Sequence, residues 1–314
     1  MIYLCLAIMR MFPARKIRNS KQARMERGRM NQADQTGKTG KVIQANQEGV
    51  SPDEVLKEIK ERPTRRWNWA RRVLLALLAV VLVALAGMGV WLADYYHADG
   101  VYDRVAQQAV SLEVAQNKSE IVVGDRKAQT GIVFYPGAKV DPAAYMPLML
   151  RLAKQGYYCV IVKMPVNLAV LKAGAADSVI ARHRSVSRWW IAGHSMGGAM
   201  AAQYASKYTD QLQGVILLAA YSTQDISRTK LAVLTIYGSK DGVLNRAHLA
   251  KYKKNLPVTS QQTVEIPGGN HARFGDYGLQ KGDGTATISR ANQQSQTAAA
   301  IVGFIREHQV TNGR

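Results

Sequence analysis

Cysteine is almost absent from this chain: Cys5 and Cys159 are the whole complement in 314 residues. Two thiols so far apart form neither a CxxC redox pair nor a zinc constellation. No GxGxxG loop of the kind that cradles a dinucleotide is present, and no His/Cys/Asp/Glu cluster has metal-ligand spacing. No cofactor and no metal are therefore expected. Acidic residues are scarce among the first 72 positions, where Arg10, Arg15, Lys16, Arg18, Lys21, Arg24, Arg27, Arg29, Arg62, Arg65, Arg66, Arg71 and Arg72 crowd together. The net charge of +20 would fit a nucleic-acid binder. Yet zinc-finger spacing, RNP-like motifs and basic heptads are all missing, so nucleic acid is not the expected partner. A basic run without apolar periodicity reads instead as a topology signal or a solvated tail.

What is present begins with a long apolar run. Val73 to Ala93 is 21 residues without a charge. As a helix it would be about 30 Å long, the thickness of a bilayer's hydrocarbon core. Trp67, Trp69, Trp91, Tyr95 and Tyr96 lie where interfacial aromatics belong. The run is longer than the apolar part of a signal peptide and sits deep in the chain, so an uncleaved anchor is expected. The positive-inside rule keeps the basic segment cytoplasmic and places everything after Asp94 outside. Cys5 and Cys159 then lie on opposite sides, and no disulfide between them is expected. The start of translation is open between Met1 and a downstream methionine such as Met30. The expected organisation is a basic, largely disordered cytoplasmic segment (1–72), a transmembrane helix (73–93), a juxtamembrane linker or helix (94–118) and a catalytic domain (119–314). Within the first segment, Ser51-Pro52-Asp53-Glu54 reads as the start of a short capped helix.

After Ser111 the texture changes. Strand-length apolar runs are expected at 120–123, 131–135, 157–162, 189–192, 214–218, 232–237 and 263–266. Helices are expected at 143–155, 168–175, 197–208, 246–252 and 293–308. Strands alternating with helices imply a mostly parallel sheet with helices on both faces. Chemistry in such sheets gathers past the carboxyl ends of the strands. Cys159, inside the run 157–162, reads as a buried strand residue.

Three such places carry reactive side chains. After Trp189–Ala192 comes Gly193-His194-Ser195-Met196-Gly197, a G-x-S-x-G between a strand and an alanine-rich helix. A serine on so tight a turn projects its hydroxyl, and the flanking positions must be small. Gly193 and Gly197 thus form the elbow around Ser195, the expected nucleophile. His194 is given a packing role. After the strand 232–237, Asp241 is the expected acid, with Asp225 in reserve. After the strand 263–266, His271 is the expected base. Ser195, Asp241 and His271 would then act as an acylating triad. The backbone N–H groups of Met196 and Ala138, the latter in the turn Pro136-Gly137-Ala138-Lys139, are the expected oxyanion donors.

The segments FYPGAKVDPAAY, IAGHSMGGAMA, YGSKDGV and PGGNHARFGDYG, in this order between about Glu120 and His308, resemble the α/β-hydrolase superfamily. The match is to its small lidless branch, which includes dienelactone hydrolases and simple esterases. The resemblance implies an α/β-hydrolase fold without a cap domain, here preceded by one transmembrane helix, and a hydrolytic triad. Dienelactone hydrolases have cysteine where this chain has Ser195, so a small ester or other acyl substrate is expected. Only Ala219 to Lys230 separates two strands where many relatives insert a cap, which implies an open pocket. The expected function is that of a membrane-anchored serine hydrolase. A non-catalytic binding protein on the same fold and an acyltransferase with the same triad are the alternatives. Oligomeric state is left open.

Overall fold

The computed structural model describes residues 63–311. The short capped helix expected after Ser51, most of the basic segment and Cys5 lie outside them. The chain divides into two compact units at Ala86/Gly87. The first is represented by helix α1 (Pro63–Ala93), which continues into the second. Its segment Trp69–Ala93 is, among the described residues, the one helix long and apolar enough to cross a membrane.

The second unit is built on an eight-stranded sheet. Helix α2 (Val101–Gln108) leads to β1 (Glu113–Gln116), β2 (Glu120–Gly124) and β3 (Thr130–Tyr135). Then follow α3 (Met146–Ala153), β4 (Tyr158–Val162), α4 (Ala175–Arg182), β5 (Arg188–His194) and α5 (Met196–Ala205). The remainder is β6 (Gly214–Leu218), β7 (Ala232–Gly238), α6 (Arg246–Tyr252), β8 (Gln261–Ile266) and α7 (Arg290–Thr311). The strand order is β1-β2-β4-β3-β5-β6-β7-β8. The pairs β1–β2 and β2–β4 are antiparallel; all others are parallel.

Two-residue periodicity divides the core into two layers. Ile132 and Phe134 of β3, with Trp190 and Ala192 of β5, face the layer that holds α2, α3 and α7. Val133 and Tyr135, with Trp189 and Ile191, face the layer of α4 and α5. Helix α7 presents Ala298, Ile301, Val302 and Ile305 to the sheet, the i, i+3, i+4, i+7 spacing of one helical face. Helix α2 buries Val101 and Val105 in the same layer. Cys159 lies fully buried in β4, and burial pushes its thiol well above the usual range.

Two local readings need correction. The helix expected over 168–175 is instead a 3-10 turn, Ala169–Lys172, followed by α4 beginning after Gly174. Val166 and Asn167 sit at φ 46° and 57°, which stops a right-handed helix before it starts. Val170 and Leu171 within this turn are exposed to solvent. Glu-Val-Ala-Gln, inside the expected linker 94–118, carries no apolar run, yet it forms the edge strand β1 by pairing with β2.

Candidate active site

Register brings the reactive loops to one edge. His194, the last residue of β5, pairs with Leu218 in β6, and Leu218 pairs with Ile236 in β7. Gly238, the last residue of β7, pairs with Ile266, the last of β8. Ser195, Asp241 and His271 follow the carboxyl ends of β5, β7 and β8.

Ser195 adopts φ 53° and ψ −121°, a strained conformation for any residue with a Cβ. The turn is held from behind by the Ser195 N–H donating to the Leu218 carbonyl at 2.9 Å. Helix α5 starts at Met196 and directs its N-terminal dipole at the turn. A Cβ on Gly193 would lie 2.5 Å from the Gly197 backbone, and one on Gly197 would lie 2.2 Å from the Tyr135 carbonyl oxygen. Neither contact can relax without moving backbone. Gly197→Ala is therefore expected to lower unfolding free energy by about 3 kcal/mol, read as a fall in the urea midpoint.

The acid and base form a buried pair. Asp241 and His271 have side chains with no exposed surface, and His271 Nδ1 lies 2.9 Å from Asp241 Oδ2. The other oxygen, Oδ1, accepts from the N–H groups of Val243 at 2.9 Å and Leu244 at 2.8 Å. Burial by itself would raise the Asp241 pKa. The hydrogen bond and charge of His271, with the two backbone donors, outweigh it and hold the carboxyl below the usual range. His271 Nε2 is buried and makes no hydrogen bond, so the structure does not close the Ser195–His271 contact.

Side chains that the sequence did not single out support these groups. Tyr145 donates or accepts with His194 Nδ1 at 2.8 Å, and its hydroxyl accepts the Gly137 N–H at 3.0 Å. The His194 and His271 rings lie 4.5 Å apart. Asp283 accepts from the N–H groups of His271 at 3.2 Å and Ala272 at 2.8 Å, pinning the base loop. Gln293 of α7 clasps Asn270 through both its amide atoms, at 3.0 and 2.7 Å. Among the described residues no group of three His, Cys, Asp or Glu could hold a metal.

His194 is buried among these groups, and its pKa is held well below 6.5, first by desolvation and then by the charge of His271. The unfolded chain takes up this proton near 6.5 while the folded chain refuses it. Stability thus falls as pH drops below 6.5, by up to about 1.4 kcal/mol per pH unit, until the folded value is reached. Thermal melts of wild type and His194→Gln across this range should show a shallower slope for the variant.

Residues 131–295 match the alpha/beta hydrolase family. No curated protein matches the chain. Several solved structures are similar to part of it at low identity. A predicted CIB-like hydrolase from Thermoplasma acidophilum is 17% identical, covering 63% of this chain and 99% of its own, with a TM-score of 0.48. A bacterial membrane phospholipase A is 14% identical over 76% of this chain and 99% of its own, at 0.49. The dienelactone hydrolase of Anabaena variabilis is 16% identical over 62% and 94%, at 0.46.

Proposed function

We propose, for a chain that belongs to the alpha/beta hydrolase family, a membrane-anchored serine hydrolase that cleaves an ester-like acyl bond. The observation that carries this reading is the buried pair of His271 and Asp241 at 2.9 Å, beyond the same sheet edge as the strained Ser195. With Nδ1 protonated toward Asp241, His271 Nε2 has a lone pair and no other partner. It takes the Ser195 proton as Oγ attacks the acyl carbonyl, and returns that proton to the leaving alcohol. Water, activated by the same nitrogen, then releases the acid.

The oxyanion is received by the N–H groups of Met196 and Ala138. Two facts support Ala138 over its neighbours. The Gly137 N–H is committed to Tyr145 and the Lys139 N–H to the Asn167 carbonyl, at 3.0 and 2.8 Å. The anchor is the helix Trp69–Ala93, with Arg71 and Arg72 near its start, an asymmetry that favours a cytoplasmic N-terminus and an extracytoplasmic catalytic domain.

Turnover of p-nitrophenyl acetate by the purified chain tests this function. A hydrolase releases nitrophenol and acetate repeatedly. A binding protein on this fold gives no turnover. A transferase needs an added alcohol or amine acceptor and yields its acetyl derivative in place of acetate.

A further inference from the structure

The chain reaches its site by a short path. Tyr96 lies three residues past Ala93, the end of the apolar helix. Those residues span about 11 Å at most, however the units are arranged. Tyr96 is bonded to the loop that carries Ala138. Its N–H donates to the Lys139 carbonyl at 2.7 Å, and its carbonyl accepts from the Asp141 N–H at 2.9 Å. Lys139 adds an ion pair to Asp94 at 3.3 Å and lies 4.6 Å above the Trp91 ring. The loop carrying Ala138 is therefore tied to the last turn of the anchor by main chain, charge and ring contacts.

Two further loops join at this tie. The Lys139 N–H binds the Asn167 carbonyl at 2.8 Å, bringing in the segment after β4. The Tyr96 hydroxyl accepts from the Lys281 N–H at 3.4 Å, bringing in the segment after His271. Both carry large apolar side chains exposed to solvent: Val170 at 54%, Leu171 at 59% and Leu279 at 87%. Val166 is exposed as well and holds φ 46°, a conformation costly for a β-branched residue. Lys172 and Lys281 are exposed beside them. Exposed apolar side chains with a lysine close by in the chain, in loops tied to the end of the anchor, match a bilayer surface, with acyl chains under the first and anionic headgroups against the second.

From these contacts we infer that the site opens onto the bilayer, and that its substrate is an acyl lipid resident in that bilayer. This rests on the hydrolase and anchor reading above. Ser195 Oγ bonds to the lipid's acyl carbon, and the bond from that carbon to the glycerol oxygen breaks. The deacylated lipid leaves, its glycerol oxygen taking the proton that His271 removed from Ser195. Water then cleaves the acyl-enzyme, giving a fatty acid and free Ser195.

The test uses the full chain in phosphatidylcholine–phosphatidylglycerol vesicles. Leu171→Cys, Leu279→Cys and, as control, Val258→Cys are each labelled with a polarity-sensitive fluorophore in a Cys5→Ser background; Cys159 is buried and takes no label. Val258 is 85% exposed but precedes β8, at the opposite edge of the sheet. Quenching by brominated acyl chains is expected at 171 and 279 and not at 258. Equal water-like emission at all three overturns the bilayer-facing rim. In the same vesicles, fluorogenic phosphatidylglycerol and soluble p-nitrophenyl butyrate are offered together. Both should be cleaved, and Val170→Asp with Leu171→Asp should lower the ratio of lipid to soluble rates about tenfold. Cleavage of the soluble ester alone overturns the lipid assignment and leaves the hydrolase standing. Cleavage of neither removes the hydrolase reading and the lipid with it.

Discussion

Ser195→Ala lowers kcat on a short acyl ester by about 10⁴- to 10⁶-fold, with little change in KM. The size follows from what the hydroxyl does. Without Oγ there is no acyl-enzyme, and what persists is the contribution of oxyanion donors and binding, of order 10³–10⁴ over water. The fold should survive, because alanine keeps the Cβ and removes an atom on a half-exposed turn. Matching unfolding midpoints for variant and wild type separate lost chemistry from lost structure. A serine that merely ends a strand predicts unchanged turnover.

Asp241→Asn has the second largest expected effect, a fall of about 10⁴-fold in kcat. The reason lies in how the carboxylate is held. Oδ1 accepts two backbone N–H groups, from Val243 and Leu244. An asparagine placed there must turn its carbonyl oxygen toward those donors, which leaves its NH2 facing His271 Nδ1. That nitrogen then becomes an acceptor, and the ring proton moves to Nε2, where it cannot accept from serine. The variant would keep its packing and lose its base. Stability should diverge with pH as well. The Asp241 pKa is depressed in the fold, so the contribution of its charge is complete above the ordinary aspartate range and is lost as pH falls through the folded value. The stability gap between wild type and Asp241→Asn should therefore be widest near neutrality and close in acid. Urea titrations at both ends of that range measure it.

The G-x-S-x-G spacing was legible because the constraint is local: Gly193 and Gly197 meet across a single turn, so five residues carry the whole message. Asp241 and His271 were legible from order alone, each in the first loop after an apolar strand, and their strands end at paired residues. Tyr145, Asp283 and Gln293 were not legible. Each acts on residues distant in the chain, through contacts that only the folded sheet creates. The segment 168–175 misled because its apolar content mimics a core helix, while Val170 and Leu171 are exposed and the positive φ of Val166 and Asn167 just before it breaks the helical path. The tie between Tyr96 and Lys139 was invisible beforehand, since nothing in either residue announces a shared strand-like bridge.

The central claim is that Ser195 is activated by His271, which Asp241 holds. Reaction with a fluorophosphonate, followed by peptide mapping of the adduct, tests it most directly. A single covalent phosphonyl group is expected on Ser195 in the wild-type chain, and no adduct in His271→Ala over the same time. Labelling of Ser195 that is equally fast without His271, or a folded wild-type chain that stays unlabelled, would contradict it.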